Sequence, residues 1–224
     1  MHPALAHVEA WIFDLDNCLY PASSNLFELI DIRMGEFIQQ LLGCDAVEAR
    51  RVQKDHFRNH GTTLAGLMNE HGIEPGAFLE FVHDIDLARL SADPDVVRAM
   101  DRLPGRKFLF TNASEDYARR VLERLGLANA FDGLHDIHAT GYVPKPDPRA
   151  YDDLCARHGI DPRRALFAED MARNLKPAKA LGMTTVWVDN GSEQAGHGSE
   201  YDFIDYRVGD IAAWLDDVTK DEAQ

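Results

Sequence analysis

Four short runs of large apolar residues in this chain each stop at acidic or amide side chains. They are AWIFDLD (10–16), RKFLFTN (106–112), RALFAED (164–170) and MTTVWVD (183–189). Runs of this length that end in polar residues predict buried parallel strands whose carboxyl ends meet solvent. Amphipathic segments separate them, and this alternation predicts an α/β fold: a Rossmann-like parallel sheet flanked by helices.

The segments between the strands have the apolar spacing of amphipathic helices. In SEDYARRVLERLGL (114–127) the apolar side chains fall on one stripe, and Gly126 offers a C-terminal stop. Segments 147–159 and 210–218 predict further helices. DGLHDI (132–137) indicates a weaker strand, and GSEQAGHGSE (191–200) is a loop by composition.

One interval interrupts the alternation of strand and helix. About ninety residues separate Asp16 from Arg106, whereas a βαβ unit takes roughly 30. Residues 25–43, 46–61, 63–72 and 76–86 all have helical patterns, and no convincing strand lies among them. We therefore expect residues 21–94 to form a helical cap over the carboxyl ends of the strands, and residues 1–20 and 95–224 to form the catalytic core.

Composition limits the classes of function. The chain has 224 residues with 23 Lys and Arg against 38 Asp and Glu, a formal charge of −15. That charge argues against binding to nucleic acid polymers or anionic membranes. Three widely spaced cysteines indicate neither a disulfide framework nor a zinc site and favour a reducing cytoplasm. No segment suits a signal peptide or a membrane span.

Side chains able to handle a phosphoryl group lie at the predicted strand ends. Asp14 and Asp16 alternate with Leu15, so in a regular strand both carboxylates share one face and require a shared proton or a cation. Taken alone, this pair is more simply a strand end with helix-capping acids. The interpretation changes because Thr111, Asn112, Lys145, Glu169 and Asp170 follow other strands. Acids, a hydroxyl and a lysine together suit in-line phosphoryl transfer.

The motifs DLDNCLYP, TNAS, PKPDP and FAEDMARNLKPAKALGM, in this order and spacing, resemble the four motifs of the haloacid dehalogenase superfamily. More narrowly, DNCLYP, HGTTLAGL and EDMARNL resemble its pyrimidine 5′-nucleotidase branch. Cys18 stands where that branch usually has Thr, and a thiol is a weaker hydrogen-bond donor. An acid at position 16 favours a phosphatase over a dehalogenase of this superfamily.

The resemblance implies specific roles. Asp14 would be the nucleophile that forms an aspartyl-phosphate, and Asp16 the general acid and base. Mg²⁺ would be held by Asp14, the Asp16 backbone carbonyl and Asp170, with Glu169 nearby. The phosphoryl group would be bound by Thr111, by the backbone N–H groups of Asn112 and Ala113, and by Lys145. Asn174 would orient Lys145 or the acids.

Substrate choice is expected to come from the cap, since the core motifs contact only phosphate. By resemblance, His60, Thr62 and Thr63 would face the substrate, a pyrimidine nucleoside 5′-monophosphate. These residues could instead only cap and join helices. A phosphatase for a sugar phosphate or phosphoglycolate, and a catalytically silent binding protein, are the alternatives. A monomer or a homodimer is compatible with the sequence.

We expect structural roles for several histidines. His56 and His60 have the i, i+4 spacing of a helical metal pair, but without an HExxH glutamate a solvated or cap-packing role is favoured. His135 and His138 would point to different faces of a strand, which also favours a structural role.

Overall fold

A single parallel sheet of six strands forms the centre of the computed structural model, which describes residues 2–189, 191 and 201–220. The strand order is β3-β2-β1-β4-β5-β6. The strands are β1 (Ala10–Phe13), β2 (Arg106–Phe110), β3 (Gly133–His135), β4 (Ala165–Glu169), β5 (Thr184–Val188) and β6 (Tyr206–Val208). This order places the topological switch between the adjacent strands β1 and β4, where open α/β sheets bind ligands.

β1 is buried on both faces of the sheet. It pairs with β2 through Ile12 opposite Phe108, and with β4 through Ile12 opposite Phe167. Trp11 and Phe13 belong to one hydrophobic core, whereas Ile12 belongs to the other. A continuously apolar strand with alternating contacts is what a central parallel strand requires.

The described residues contain nine α-helices. They are α1 (Leu26–Leu42), α2 (Ala46–His60), α3 (Thr63–His71), α4 (Pro75–His83), α5 (Pro94–Arg102), α6 (Glu115–Arg124), α7 (Pro148–His158), α8 (Ala172–Leu181) and α9 (Ile211–Thr219). Helices α5, α6 and α9 pack on the Trp11 face of the sheet, and α7 and α8 pack on the Ile12 face. The result is a three-layer α/β core, which confirms the predicted fold class.

Helices α1 to α4 lie between β1 and β2 in the chain and pack on one another. Their buried residues include Ile38, Leu67 and Phe78, and no described residue between 21 and 94 lies in a strand. The core–cap borders at residues 20 and 94 remain a prediction, although helix α5 begins at Pro94.

Two elements escaped the sequence analysis. Strand β6 is only three residues long, too short for an alternating pattern to stand out, and helix α5 directly precedes β2. The weak strand predicted at 132–137 is present as β3. The predicted loop at 191–200 lies outside the described residues except for Gly191. Among the described helices, none is long and apolar enough to cross a membrane.

The turn before β2 depends on Gly105. Its φ is +80°, and a Cβ there would lie 2.4 Å from the Glu9 carbonyl oxygen, which accepts a hydrogen bond from the Arg106 N–H. We expect Gly105→Ala to lower the free energy of unfolding by about 1–3 kcal/mol, since it combines backbone strain with a steric clash. Denaturant unfolding followed by circular dichroism measures this difference.

The matched control is Gly76→Ala, in the first turn of α4, where a Cβ meets no atom within 4 Å. This change should leave stability unaltered or raise it by up to about 1 kcal/mol, because Ala favours helix more than Gly does. If the two variants have equal free energies of unfolding, the expected strain and clash at position 105 are absent.

Candidate active site

Asp14 and Asp16 follow β1 directly. The Asp14 N–H donates to the Ala168 carbonyl (2.9 Å), so the pairing with β4 continues one residue past the strand. Leu15 between them is fully buried, and Asn17 has a φ of 59°, which turns the chain away from the sheet. The two acids therefore stand where the chain leaves the carboxyl edge of the sheet.

Lys145 is buried in contact with two carboxylates. Its Nζ lies 2.6 Å from Asp14 Oδ1 and 2.6 Å from Glu169 Oε2, and it also donates to the Phe110 carbonyl (2.9 Å). Only 2% of Lys145 is exposed. Burial opposes its charge, but the two carboxylates outweigh burial and raise the pKa of Lys145 above the usual lysine range.

Three acids lie close together here, and two of them contact this lysine. Asp14, Glu169 and Asp170 are all buried, and each offers a carboxylate oxygen within 4.8 Å of the others. Burial, followed by the charge of Glu169, raises the pKa of Asp14 to about 8. One ammonium group cannot neutralise three carboxylates, so the cluster suits a hard divalent cation with oxygen ligands.

Asn174 adds a further oxygen to this region. Its Oδ1 is buried and has no hydrogen-bond partner among the described residues, and it lines the same cavity as the three acids. We expected Asn174 to contact Lys145 or the acids, but no hydrogen bond joins Asn174 to Lys145 in the described part of the chain. An unpaired buried carbonyl oxygen beside an acid cluster is consistent with a cation or its bound water at this place.

The Asp16 carboxyl group is held by two tyrosines. Its Oδ1 accepts from Tyr20 Oη (2.5 Å) and from Tyr117 Oη (2.8 Å). The His83 ring stacks on Tyr117 with centroids 4.3 Å apart. Burial raises the pKa of Asp16, and the two tyrosine hydrogen bonds oppose that rise. Asp16 is thus fixed in orientation and favours its protonated form more than an exposed carboxyl does.

The segment after β2 supplies a hydroxyl and an amide. Thr111 is buried, and its Oγ1 accepts from the Ala113 N–H (3.0 Å). The Asn112 side chain accepts from the Lys145 N–H (2.8 Å) and donates to the Lys145 carbonyl (3.3 Å). Asn112 therefore fixes the backbone that carries the lysine, a role that the sequence alone did not indicate.

A cavity connects these core residues with the cap. Its core wall includes Asp14, Asp16, Thr111, Lys145 and Asp170. Its cap wall is formed by Phe27, Ile30, Asp31, Met34, Gln53, Lys54, Phe57, Thr62, Thr63, Leu64, Phe78, Leu79, Val82 and His83. The cap helices thus cover the acid cluster with a surface that is mostly apolar and carries a few polar groups.

Of the three cap residues that were predicted to face the substrate, only two line the cavity. Thr62 and Thr63 line it, but Thr62 Oγ1 caps α3 by accepting from the Ala65 N–H (3.1 Å), and Thr63 Oγ1 donates to the Gln53 carbonyl (3.4 Å). His60 is not among the lining residues. Its Nε2 lies 2.7 Å from Glu70 Oε1.

Sequence reasoning missed the polar group formed by Asp31, Gln53 and Lys54. Gln53 Nε2 donates to Asp31 Oδ1 (2.6 Å), and Lys54 Nζ lies 4.0 Å from Asp31 Oδ2. These residues come from α1 and α2, where charged residues at helical spacing usually indicate a solvated face. Only the packing of α1 against α2 turns them toward the cavity.

Arg173, also missed, joins core and cap. It lies on α8, and its Nη2 donates to the Gly61 carbonyl (2.7 Å) in the turn between α2 and α3. Its guanidinium lies 4.2 Å from the centre of the Phe57 ring. A charged hydrogen bond and a cation–π contact together hold the cap turn against the core.

Cys18 keeps a contact with the sheet. It is buried, and its Sγ lies 3.5 Å from the Ala168 carbonyl oxygen, to which the thiol donates. The thiol therefore reaches the β4 backbone beside the Asp14 N–H contact.

Residues 8–182 match a protein family described as haloacid dehalogenase-like hydrolase. Among curated relatives, the chain is 26% identical over 191 residues to Phosphate metabolism protein 8 of Saccharomyces cerevisiae; the match covers 78% of this chain and 60% of the yeast protein. It is also 26% identical over 202 residues to a glyceraldehyde 3-phosphate phosphatase of Methanopyrus kandleri, covering 84% and 86%.

A solved structure with the same fold is a HAD phosphatase from Thermococcus onnurineus. It superposes with a TM-score of 0.65 at 19% identity, and the match covers 94% of this chain and 97% of the other. This likeness confirms the fold of both the sheet and the helices.

Because of the acid cluster, we expect the stability of the protein to depend on Mg²⁺. We expect Mg²⁺ to raise the melting temperature of the wild-type protein, because the ion binds the folded cluster and not the unfolded chain. Asp170→Asn should remove most of that rise without lowering the metal-free melting temperature, since it also relieves repulsion among buried carboxylates. Differential scanning fluorimetry with and without Mg²⁺ tests both expectations.

Asp153→Asn is the control, because Asp153 is a partly exposed carboxylate on α7 outside the cluster. It should keep the wild-type response to Mg²⁺. An equal response in both variants would contradict a cation site at Asp170.

Proposed function

This chain belongs to the haloacid dehalogenase-like hydrolase family, and on that premise we propose that it is a Mg²⁺-dependent phosphomonoesterase that prefers pyrimidine nucleoside 5′-monophosphates. The observation that carries the proposal is the buried cluster of Asp14, Glu169 and Asp170 around Lys145, at the base of a cavity covered by the cap.

The first step proposed is phosphoryl transfer to Asp14. A carboxylate oxygen of Asp14 attacks phosphorus, and the bond between phosphorus and the ester oxygen breaks. Asp16 gives its proton to the departing alkoxide. The tyrosine hydrogen bonds from Tyr20 and Tyr117 keep the Asp16 carboxyl in place for that transfer.

The second step returns the enzyme to its starting state. Asp16, now a carboxylate, takes a proton from a water molecule, whose oxygen attacks the aspartyl-phosphate. Inorganic phosphate leaves and the Asp14 carboxylate is restored. The same residue thus serves first as acid and then as base.

Charge neutralisation is the main task of the remaining groups. Lys145 contacts Asp14 directly and would also face the phosphoryl oxygens. Thr111 and the N–H groups of Asn112 and Ala113 would hold those oxygens, and the Ala113 N–H would then exchange its hydrogen bond to Thr111 Oγ1 for one to the phosphate. Mg²⁺ would be held by Asp14, Asp170 and the Asp16 carbonyl, with Glu169 nearby, and would offset the charge of the phosphate dianion.

The cap wall supports a nucleoside as leaving group. Aromatic and aliphatic side chains such as Phe27, Phe57 and Phe78 dominate it, and Gln53 and Lys54 add polar groups. A flat ring with polar edges can use both kinds of surface. A two- or three-carbon phosphate would leave most of the apolar wall without contact.

A second candidate is a phosphatase for another small metabolite, such as a sugar phosphate or phosphoglycolate. The match to a glyceraldehyde 3-phosphate phosphatase, over 84% of this chain, favours it. The core chemistry is the same in both cases, so only the substrate ranking separates them.

Metal removal and loss of the nucleophile should each abolish turnover. We expect chelator-treated protein and Asp14→Asn to fall to background phosphatase activity, because no other group can form the phosphoenzyme and no other charge replaces the cation. Acid-quenched wild-type protein should retain label from a phosphate-labelled substrate, and hydroxylamine should release it.

Asp116→Asn, an exposed carboxylate in the first turn of α6, is the matched control and should keep wild-type kcat. Activity in the Asp14→Asn protein, or full activity with chelator, would refute the proposed chemistry.

The substrate ranking should place uridylate and cytidylate above adenylate, guanylate, glucose 6-phosphate and phosphoglycolate in kcat/KM at one Mg²⁺ concentration. Lys54→Met keeps the aliphatic stem and removes the charge, so it should lower kcat/KM for both pyrimidine nucleotides about tenfold, the effect of losing one hydrogen bond from a charged group. Phosphoglycolate should be much less affected, since it lacks the nucleoside that is proposed to contact the cap wall.

Arg58→Met is the control: Arg58 is 69% exposed on the same helix and does not line the cavity. It should leave the ranking unchanged. If phosphoglycolate or glucose 6-phosphate leads in the wild type, the nucleotidase proposal is wrong at the level of substrate while the phosphatase chemistry stands.

A further inference from the structure

We propose that His56, His60 and Glu70 form a second metal site, in the cap, for a divalent cation of the Zn²⁺ class. His56 and His60 lie one turn apart on α2, and Glu70 lies on α3. Each offers a ligand atom within 4.8 Å of the others. The site shares no residue with the acid cluster in the core and does not depend on the proposed substrate.

The distances fit tetrahedral coordination. Metal–ligand bonds of about 2.0–2.1 Å place neighbouring ligand atoms about 3.4 Å apart. His56 Nδ1 lies 3.6 Å from Glu70 Oε1, close to that separation and too far for a hydrogen bond. His60 Nε2 lies 2.7 Å from the same oxygen, so this pair would open by roughly 0.7 Å to admit the ion.

His56 is the buried member of the three residues, with a side chain that is 5% exposed. The ring packs directly against the backbone of α3 at Gly66, where a Cβ would lie 2.3 Å from His56 Cγ. This packing holds the ring in one position, with Nδ1 3.6 Å from Glu70 Oε1. A cation on Nδ1 would leave the proton on Nε2, which is buried and has no hydrogen-bond partner among the described residues.

A neighbouring amide supports His60. Asn69 Nδ2 lies 3.4 Å from His60 Nδ1. If His60 binds the ion through Nε2, its Nδ1 carries the proton, and the Asn69 amide need only turn over to accept it through Oδ1. This outer contact would fix the ring in the coordinating orientation.

The donor set selects the class of metal. Two imidazoles and one carboxylate suit Zn²⁺ and similar borderline cations, whereas Mg²⁺ prefers oxygen ligands throughout. Glu70 is about half exposed, which leaves room for water as the fourth ligand. An ordinary His60–Glu70 ion pair on the cap surface is the competing explanation, and it requires no metal.

Zinc at this position would tie α2 to α3 beside the cavity. His60 immediately precedes the turn formed by Gly61 and Thr62, and Gly61 is the residue that Arg173 contacts from the core. The ion would restrain the cap turn and stabilise the cap.

The test is Zn²⁺ binding by tag-free protein in the presence of excess Mg²⁺, which saturates the oxygen site in the core. Equilibrium dialysis with metal analysis measures stoichiometry, Co²⁺ substitution reports coordination through its visible d–d absorption, and scanning fluorimetry reports stability. We expect one Zn²⁺ per chain, a tetrahedral Co²⁺ spectrum and a rise in melting temperature.

Glu70→Gln and His60→Asn change partly exposed residues, so both variants should fold, and each should weaken Zn²⁺ binding at least tenfold. Glu80→Gln, an exposed acid on α4, is the matched control and should bind as the wild type does. No Zn²⁺ bound in excess Mg²⁺, or equal binding in the Glu70→Gln and Glu80→Gln proteins, would overturn the site and leave the His60–Glu70 ion pair. Neither result bears on the phosphatase chemistry.

Discussion

The contact of Lys145 with Asp14 and Glu169 is the interaction on which the rest of the site depends. Burying an ammonium group is costly unless carboxylates in good geometry compensate it, and here two do so at 2.6 Å each. With Asp170 in the same cluster, the negative charges still outnumber the positive ones. The remaining charge makes the site receptive to a cation and, once that cation is bound, to a phosphate.

Sheet topology brings these groups together. Asp14 follows β1 and Glu169 ends β4, and those two strands are neighbours because the chain crosses from β3, at one edge of the sheet, back to the other side of β1. Lys145 lies in the loop before α7, and the Asn112 side chain at the end of β2 holds its backbone. Three distant parts of the sequence thus converge at one edge of the sheet, as expected where the strand order reverses.

The strand ends could be predicted from sequence because an apolar run that stops at an acid is a local pattern, and parallel strands align those stops. That reasoning located Asp14, Asp16, Thr111, Glu169 and Asp170, whereas Lys145 lies in a loop ten residues after β3 and not at a strand end. It could not locate the cavity-facing residues of the cap. Gln53 and Lys54 look like a solvated helix face until α1 packs against α2, and Thr62 has the same sequence signal whether it caps a helix or contacts a substrate. Arg173 contacts the cap turn because two segments that are distant in sequence meet in the fold. No local spacing of residues predicts such a contact.

The cap turn at Gly61 lies against the core beside the loop that carries Lys145. The Gly61 carbonyl accepts from Arg173, and a Cβ at Gly61 would lie 3.9 Å from the ring of Pro146, the residue after Lys145. Gly61 has a φ of +86°, so glycine is favoured there on conformational grounds. A movement that lifts the cap must therefore break the Arg173 bond beside the loop that carries Lys145. Under the proposed function, a substrate that fills the cap wall would therefore also hold this turn beside the loop that carries Lys145.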